Sequence, residues 1–257
     1  MTDSLLVEID DRGVCTLTLN RLERHNAFDD QLINALLTKL QEIERVSATR
    51  VVILTGAGKS FSSGADLEWM RSMAKYDEET NRQDAQRLAD LLQTLDNLNK
   101  PTIAWVNGSA FGGAVGLIAC CDIVVASERA EFALTEVRLG LVPSVISPYV
   151  IAAIGRRQAR RLFLNAERIG AEEAKRIGLV HQVAKDEELP QAVETQVSMV
   201  LKGGPQALTE CKQLVGKLAH AREDADTVDL IARLRVSPEG QEGMTAFFEK
   251  RKPTWIK

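Results

Sequence analysis

The chain has 257 residues, of which 45% are hydrophobic and 26% are charged, and its formal net charge is −4. This is the composition of an ordinary globular protein that can bury a full core. The weak negative charge argues against nucleic acid or an anionic membrane as a partner. The opening MTDSLLVEID lacks the basic and apolar regions of a signal peptide, and no apolar stretch approaches the ~20 residues of a membrane span. We therefore expect a cytoplasmic protein.

Apolar runs and two-residue alternation predict short strands in the first part of the chain. Leu5–Ile9 and Val14–Leu19 flank a DDRG turn, which is typical of a hairpin. Further strands are predicted over 51–54, Thr102–Val106, 123–126 and 131–134.

Helical periodicity separates these strands. One predicted helix begins at Asp29-Asp30, and its apolar face is Ile33, Leu36, Leu37, Leu40 and Ile43. Another is predicted over 67–98, ends before Pro101, and carries the stripe Leu88, Leu91, Leu92 and Leu95. From about residue 187 only helical patterns remain, over 190–201, 205–221 and 238–250. We predict an α/β region over 1–186 and a helical region over 187–257.

Cysteine and histidine positions predict no metal site. Cys15, Cys120, Cys121 and Cys211 do not have metal-ligand spacing, and the three histidines are scattered along the chain. Cys120 and Cys121 lie in an apolar run, which predicts buried free thiols. The histidines are predicted to be structural or surface residues: His25, His181 and His220.

Two glycine-rich segments follow predicted strands. Residues 61–66 read FSSGAD and residues 111–116 read FGGAVG. Glycine permits close approach of a ligand or another backbone, and a helix start leaves N–H donors free. Such donors can stabilise an oxygen that becomes negative during a reaction. The segments predict either an oxyanion pocket with two donors or two turns whose glycines serve packing.

Residues 51–60, VVILTGAGKS, resemble a phosphate-binding P-loop only superficially. The pattern G-x-x-x-x-G-K-[ST] requires glycine where this chain has Ile53, and another turn follows instead of a helix. We therefore predict no nucleotide hydrolysis. Lys59 remains a candidate contact for a ligand phosphate, because it lies at the rim of a glycine loop.

Six motifs occur in one order along the chain: RLERHNAF at 21–28, FSSGAD at 61–66, a segment over 106–113, CDI at 121–123, TEVRLG at 135–140, and a tail over 239–252. With these motifs the chain resembles the crotonase (enoyl-CoA hydratase/isomerase) superfamily nearly end to end. The resemblance implies an α/β fold, a crotonase-like spiral of ββα units over 1–186 that binds acyl-CoA and carries catalysis. It also implies a helical region over 187–257 that joins subunits into homotrimers or homohexamers.

The resemblance also implies a set of functional residues. The N–H groups of Ala65 and Gly113 would hold the thioester oxygen, and Glu136 would be the catalytic acid–base residue. The positions that resemble CoA-binding positions of the family are Arg24, Ala27, Lys59, Ser63, Asp66, Leu67, Gly112 and Lys250. The basic residues among them are equally interpretable as solvated surface charges. No metal or redox cofactor is expected, since the thioester is the electron sink and CoA is part of the substrate.

One family carboxylate is missing. Relatives that hydrate simple enoyl-CoAs have a glutamate where this chain has Gly116, whereas the second glutamate is present as Glu136. Two carboxylates can divide the proton transfers of hydration, while a double-bond shift needs one base. We therefore keep three hypotheses: a hydratase, an enoyl-CoA isomerase that uses Glu136, and a non-catalytic acyl-CoA-binding oligomer.

The closest resemblance is to bacterial methylglutaconyl-CoA and isohexenylglutaconyl-CoA hydratases, whose substrates carry their own carboxylate. The leading hypothesis is a hydratase for a branched, carboxylated 2-enoyl-CoA of leucine or acyclic terpene catabolism. We expect the substrate carboxylate to occupy the space freed at Gly116. Arg138 is either its counter-ion or part of a subunit salt bridge. Four residues are interpreted either as acyl-pocket lining or as core: Trp69, Met70, Val142 and Ile146.

Overall fold

The computed structural model describes residues 4–220 and 227–256. Within these ranges the strands are β1 Leu5–Ile9, β2 Val14–Leu19, β3 Val51–Gly56, β4 Ser60–Ser62, β5 Thr102–Val106, β6 Ser109–Phe111, β7 Ile123–Ser127, β8 Glu131–Ala133, β9 Ile169–Gly170 and β10 Gln182–Ala184. The helices are α1 Asp30–Arg45, α2 Leu67–Met73, α3 Glu78–Asp96, α4 Gly113–Ala119, α5 Ser147–Asn165, α6 Ala171–Arg176, α7 Leu189–Leu201, α8 Pro205–His220, α9 Thr227–Val236 and α10 Pro238–Phe248. Short 3-10 helices cover Leu22–Arg24 and Glu136–Leu139.

The strands form two sheets. The 6-stranded sheet has the order β1-β2-β3-β5-β7-β10 and is parallel except for the β1–β2 hairpin. The 4-stranded sheet has the order β4-β6-β8-β9, and its β4, β6 and β8 are parallel. Successive strand pairs therefore divide between the sheets, with helices between the pairs. This is the α/β arrangement that the sequence pattern predicts and the spiral of ββα units that the resemblance implies.

Both faces of the large sheet are covered. Every residue of β3 is buried, as expected for a central parallel strand between two layers. Helix α1 packs against α3 and buries the predicted apolar face, except that Leu37 is only half-buried. On the other face, Val193 and Val197 of α7 join a second apolar cluster with Ile53 and Ile103.

The predicted helix over 67–98 is wrong as one element, because the structure divides it into α2 and α3. Asp77 has an extended backbone, and its carboxylate accepts a hydrogen bond from the Thr80 N–H at 2.8 Å. This is an N-terminal cap, which begins a new helix. The predicted strands are all present, although several differ by one or two residues at their ends. Helices α5, α6 and α9 and strands β4, β6, β9 and β10 were not predicted as separate elements.

Helices also follow the spiral, as predicted. Helix α7 packs on β3, β5, β7 and β10, while α10 contacts α8 and α9. The predicted end of α8 at Ala221 lies outside the described residues, as does the side chain of His220. The C-terminal helices expose large apolar side chains, of which Val215, Phe247 and Phe248 are at least 70% accessible. Whether residues 187–257 form an oligomerisation region remains a prediction.

Candidate active site

The first glycine loop follows β4 and is attached to a neighbouring segment through Phe28. The Phe28 N–H donates to the Gly64 carbonyl at 2.9 Å, and its carbonyl accepts from the Asp66 N–H at 2.9 Å. In such a parallel bridge the residue between the two partners directs its own N–H away. Within residues 4–220 and 227–256, no hydrogen bond uses the N–H of Ala65.

Asp66 fixes the start of α2 directly after this N–H. Its carboxylate accepts hydrogen bonds from the backbone of Glu68 at 2.8 Å and Trp69 at 3.4 Å. Arg21 lies 3.1 Å from the same carboxylate. Burial alone would raise the pKa of Asp66, but these N–H groups and the cations of Arg21 and Arg24 lower it overall. Asp66 therefore positions the loop as a charged cap.

The second glycine loop follows β6, the strand beside β4. Gly112 has a positive φ of 54°, which glycine adopts without strain, and its N–H donates to the Ala133 carbonyl at 2.9 Å. Gly113 then begins α4, so its N–H has no acceptor in the preceding turn. In the part of the chain that the structure describes, this N–H makes no hydrogen bond.

The two loops pack directly on each other. A Cβ at Gly64 would lie 2.8 Å from the Phe111 carbonyl oxygen, and one at Gly113 would lie 2.9 Å from Cζ of the Phe28 ring. Phe28 thus holds the first loop through its backbone and contacts the second through its ring. The two unused donors are consequently kept at neighbouring strand ends, in the arrangement expected of an oxyanion pocket.

Glu136 lies against this pair of loops. It begins a 3-10 helix that ends at Leu139 and is capped by Gly140, which has a left-handed φ of 72°. The Leu141 N–H donates to the Glu136 carbonyl at 3.0 Å. A Cβ at Gly112 would lie 3.4 Å from Oε1 of Glu136. Oε2 is buried and has no hydrogen-bond partner in the described chain. Burial raises the pKa of Glu136, and the group is therefore a carboxyl adapted to accept and return a proton.

These groups share one cavity of about 780 Å³. Its lining is mostly apolar and includes Ala65, Gly113 and Glu136. Of the predicted acyl-pocket residues, Trp69, Met70, Val142 and Ile146 also line it. The sequence did not identify the remaining lining residues: Phe28, Met73, Ala74, Tyr76, Asn81, Asp84, Ala85, Leu88, Leu139, Leu141, Pro143, Ser144 and Val145.

Helical spacing could have found part of this lining. Asp84 precedes Leu88 by four residues, and Leu88 belongs to the predicted apolar stripe of α3. Residues four apart lie on the same face of a helix. The stripe alone did not show that this end faces a cavity, because a core stripe has the same period.

The expected space at Gly116 does not exist. A Cβ at Gly116 would lie 2.8 Å from Cβ of Ile146 and 3.5 Å from Cδ2 of Leu92. Ile146 therefore fills the position that a side chain at Gly116 would take, and Gly116 is not part of the cavity wall. The hypothesis that a substrate carboxylate occupies this space is wrong.

Arg138 is also absent from the cavity wall. It donates through Nη2 to the Ala166 carbonyl at 2.8 Å, which places its guanidinium at the end of α5. Among the described residues that line the cavity, none is Lys, Arg or His. The cavity therefore offers no cationic side chain to a charged acyl group.

Several predicted CoA-contacting residues lie together beside the first loop. The Ser63 hydroxyl donates to the Arg24 carbonyl at 3.2 Å. The Ala27 carbonyl accepts a hydrogen bond from Nη1 of Arg21 at 2.6 Å, and Nη2 of Arg24 donates to Oε2 of Glu68 at 3.2 Å. Leu67 is 67% exposed.

The other basic candidates are exposed. Lys59 lies in the turn before β4 and has no ion pair among residues 4–220 and 227–256. Lys250 follows α10 with a left-handed φ of 56°, and no hydrogen bond or ion pair of the described chain joins it to the glycine loops. The structure therefore groups Arg24 and Ser63 but does not bring Lys250 to them.

No three His, Cys, Asp or Glu residues within the described ranges are grouped to hold a metal ion. Cys120 and Cys121 are buried free thiols, as predicted. His181 accepts a hydrogen bond from the Val124 N–H at 2.9 Å, and His25 lies 3.2 Å from the Ser60 hydroxyl. No helix within residues 4–220 and 227–256 combines the length and apolar character needed to cross a bilayer.

Comparison with known proteins agrees with this geometry. The model of the enoyl-CoA hydratase/isomerase family matches residues 10–257. The chain belongs to this family, within the crotonase superfamily. It is similar to the crystal structure of an enoyl-CoA hydratase from Shewanella pealeana, with 44% identity, a TM-score of 0.93, and coverage of 98% of this chain and 96% of the other. It is also similar to AtuE of Pseudomonas aeruginosa, with 32% identity, a TM-score of 0.96, and coverage of 99% and 100%.

A curated relative is the 2,3-dehydroadipyl-CoA hydratase of Escherichia coli, which is 32% identical over 244 residues, covering 93% of this chain and 94% of the relative. Family membership therefore rests on nearly the whole length of the chain. It supports enoyl-CoA hydratase activity in general and does not specify the acyl group.

Proposed function

We propose that the protein is an enoyl-CoA hydratase that adds water across the 2,3 double bond of a 2-enoyl-CoA. One observation carries the proposal: the unused N–H groups of Ala65 and Gly113 and the buried carboxyl of Glu136 line the same cavity. Two aimed donors stabilise the enolate that forms on the thioester oxygen. A carboxyl beside them can transfer the protons that the addition requires.

The proposed reaction uses Glu136 twice. As carboxylate it removes a proton from water while the oxygen bonds to C3, and the electron pair of the double bond moves toward the thioester. Ala65 and Gly113 hold the resulting enolate oxygen. The protonated Glu136 then returns its proton to C2. Water is consumed, a hydroxyl and a C–H bond form, and no redox cofactor takes part.

Binding of CoA is proposed beside the first loop. Arg24, Lys59 and Ser63 are exposed at its edge, and the two cations can pair with phosphates through charge-assisted hydrogen bonds. Ala27, Asp66, Leu67 and Gly112 would shape this edge. Lys250 follows α10, so it would contact CoA from a different part of the protein than Arg24 and Lys59.

The acyl group is proposed to be mainly apolar, because the described residues that line the cavity are mostly apolar and include no Lys, Arg or His. A branched, carboxylated 2-enoyl-CoA of the methylglutaconyl type is the second candidate. It is supported by the relative named for 2,3-dehydroadipyl-CoA, whose acyl group ends in a carboxylate. The described lining residues do not favour a carboxylated acyl group, because none of them is Lys, Arg or His.

Isomerisation is the alternative reaction. The cavity contains Glu136, and position 116 supplies no second glutamate. One base suffices to remove the C2 proton of a 3-enoyl-CoA and return it to C4. Mass spectrometry separates the reactions, because hydration adds one water to the product and isomerisation leaves the mass unchanged.

The proposed assembly is a homotrimer or homohexamer. It is supported by the apolar surface of the C-terminal helices, which includes Phe247 and Phe248, both 77% exposed. Light scattering coupled to size exclusion measures the subunit number. A monomer at micromolar concentration would contradict this assembly.

The deciding experiment incubates the protein with crotonyl-CoA, a medium-chain 2-enoyl-CoA, methylglutaconyl-CoA and a 3-enoyl-CoA. Products are then separated by liquid chromatography, which resolves double-bond isomers of equal mass, and are analysed by mass spectrometry. We expect addition of water to a 2-enoyl-CoA, and loss of this reaction in Glu136→Gln. Turnover of only the 3-enoyl-CoA would establish the isomerase. Binding without any turnover would favour the non-catalytic oligomer.

A further inference from the structure

The cavity contains a second carboxyl, which belongs to Asp84 on α3. Cδ2 of Leu88 lies 4.0 Å from the position of a Cβ on Gly113. Asp84 is four residues before Leu88, which is about 6 Å along the helix axis. Asp84 therefore lines the same cavity as the oxyanion donors and is displaced along α3 from the residue that approaches Gly113.

Asp84 is buried although it is charged in its ordinary state. Its side chain is only 8% exposed, and the nearest cation, Arg87, is 3.7 Å away and 49% exposed. Burial raises the pKa of Asp84, whereas Arg87 and the Trp69 indole act in the opposite direction. Buried aspartates are uncommon without strong pairing. This one retains acceptor positions, because a carboxylate can accept about four hydrogen bonds.

The neighbouring Asn81 amide is already engaged in other hydrogen bonds. The Asn81 amide already donates to the carbonyls of Tyr76 and Asp77, both at 3.1 Å. Asp84, Trp69 and Tyr76 also line an adjoining polar cavity of about 340 Å³. Asp84 thus stands in the wall between an apolar cavity and a polar one, where it can meet a polar end of an acyl chain.

We propose that Asp84 determines acyl specificity: it accepts a hydrogen bond from a hydroxyl on the distal part of the chain and excludes a chain that ends in a carboxylate. The proposal rests on the proposed hydratase function. A like charge next to a buried carboxylate is unfavourable, because the low dielectric strengthens the repulsion. A hydroxyl instead adds a hydrogen-bond donor, for which the carboxylate keeps acceptor positions besides the one that the Trp69 indole uses.

The test compares hex-2-enoyl-CoA, 6-hydroxyhex-2-enoyl-CoA and 2,3-dehydroadipyl-CoA, which share one carbon skeleton. For each, kcat/KM is measured with the wild type, Asp84→Asn, Asp84→Leu and Asp90→Asn. Asp90 is the matched control, because it lies on the same helix and accepts from Gln86 at 2.7 Å. Ratios between substrates in one preparation do not depend on the folded fraction.

We expect Asp84→Asn to raise the ratio of dehydroadipyl to hexenoyl turnover by about tenfold or more, since it removes the repulsion. Asp84→Leu should lower the ratio of hydroxyhexenoyl to hexenoyl turnover by about tenfold, as expected for one hydrogen bond to a charged group. Asp90→Asn should change neither ratio. Unchanged ratios in both Asp84 variants would overturn the specificity role alone. A wild type that hydrates none of the three would overturn the proposed function together with it.

Discussion

The cavity has two walls that are built in different ways. The oxyanion wall consists of residues 61–66, residues 111–113 and Glu136, and backbone hydrogen bonds and positive-φ glycines hold it. The acyl wall consists of α2, α3 and residues 139–146, and side chains form it, including the exposed Val142. The proposed chemistry therefore depends on the N–H groups of Ala65 and Gly113 and on the Glu136 carboxyl, and a Cβ at Gly64 or Gly113 would meet another atom within 3 Å. Acyl selection depends instead on side chains.

Removing the Glu136 carboxylate should have the largest effect. Glu136→Gln keeps the shape of the side chain but cannot accept or return a proton, so we expect kcat to fall by roughly 10³-fold. KM should change little. The measurement is steady-state hydration of a 2-enoyl-CoA, with Glu128→Gln as control, since Glu128 is exposed after β7. A variant with more than a tenth of wild-type kcat would show that another group supplies the base.

Disturbing the oxyanion wall should be the next largest effect. In Gly113→Ala the new Cβ would meet Cζ of Phe28 at 2.9 Å, so the helix start and its N–H must shift. We expect kcat to fall by about 10²-fold, near the lower end for loss of an oxyanion donor. Gly170→Ala is the matched control, because its Cβ meets no atom within 4 Å in the part of the chain that the structure describes, and the φ of −83° at this position suits alanine. Equal kcat values for the two variants would show that the N–H of Gly113 does not stabilise the transition state.

Because Gly116 packs against Ile146, we expect two glycine-to-alanine substitutions, at positions 116 and 216, to change the free energy of unfolding in opposite directions. Gly116→Ala places a Cβ 2.8 Å from Cβ of Ile146, and such overpacking should cost about 2 kcal/mol of unfolding free energy. The Cβ of Gly216→Ala on α8 meets no atom of the described residues within 4 Å, and this substitution should add about 1 kcal/mol, the helix preference of alanine over glycine. Urea denaturation measures both. A stabilised Gly116→Ala would mean that Ile146 moves aside easily.

The fold and the oxyanion wall could be predicted from the sequence because their signals are local. Apolar runs marked β3 and β5, and the glycines of 61–66 and 111–113 marked loops at the strand ends. The resemblance then assigned Ala65, Gly113 and Glu136 to one site, and the structure places these three residues around one cavity. Their catalytic roles stay predictions.

The acyl wall could not be predicted because it depends on contacts between segments distant in the sequence. Glycine at position 116 suggested free space, but Ile146 comes from another segment and fills it. Likewise, the stripe that includes Leu88 has the period of an ordinary core helix, so nothing local showed that Asp84 borders a cavity. The division of α2 from α3 was missed because Asp77 acts as a cap within a continuous polar, helix-forming stretch.

The smallest expected effect concerns the dependence of folding stability on pH, and it arises from Glu136 in the oxyanion wall. Burial raises the pKa of Glu136 in the folded protein, while the unfolded value is about 4.3. Between these pKa values the folded state binds more protons than the unfolded state, so this group lowers stability as pH rises. Below the unfolded pKa both states hold the proton, and the penalty disappears. Glu136→Gln should therefore be more stable than the wild type at neutral pH.

The measurement is urea denaturation of wild type and Glu136→Gln from about pH 4 to pH 8, where each unit of pKa shift corresponds to about 1.4 kcal/mol. The difference should grow from near zero at the acid end to a plateau above the raised pKa. Glu128→Gln, which changes an exposed carboxyl, should show no such rise. A difference independent of pH would mean that Glu136 is solvated in the folded protein. The oxyanion wall would then stabilise the enolate without a buried base beside it.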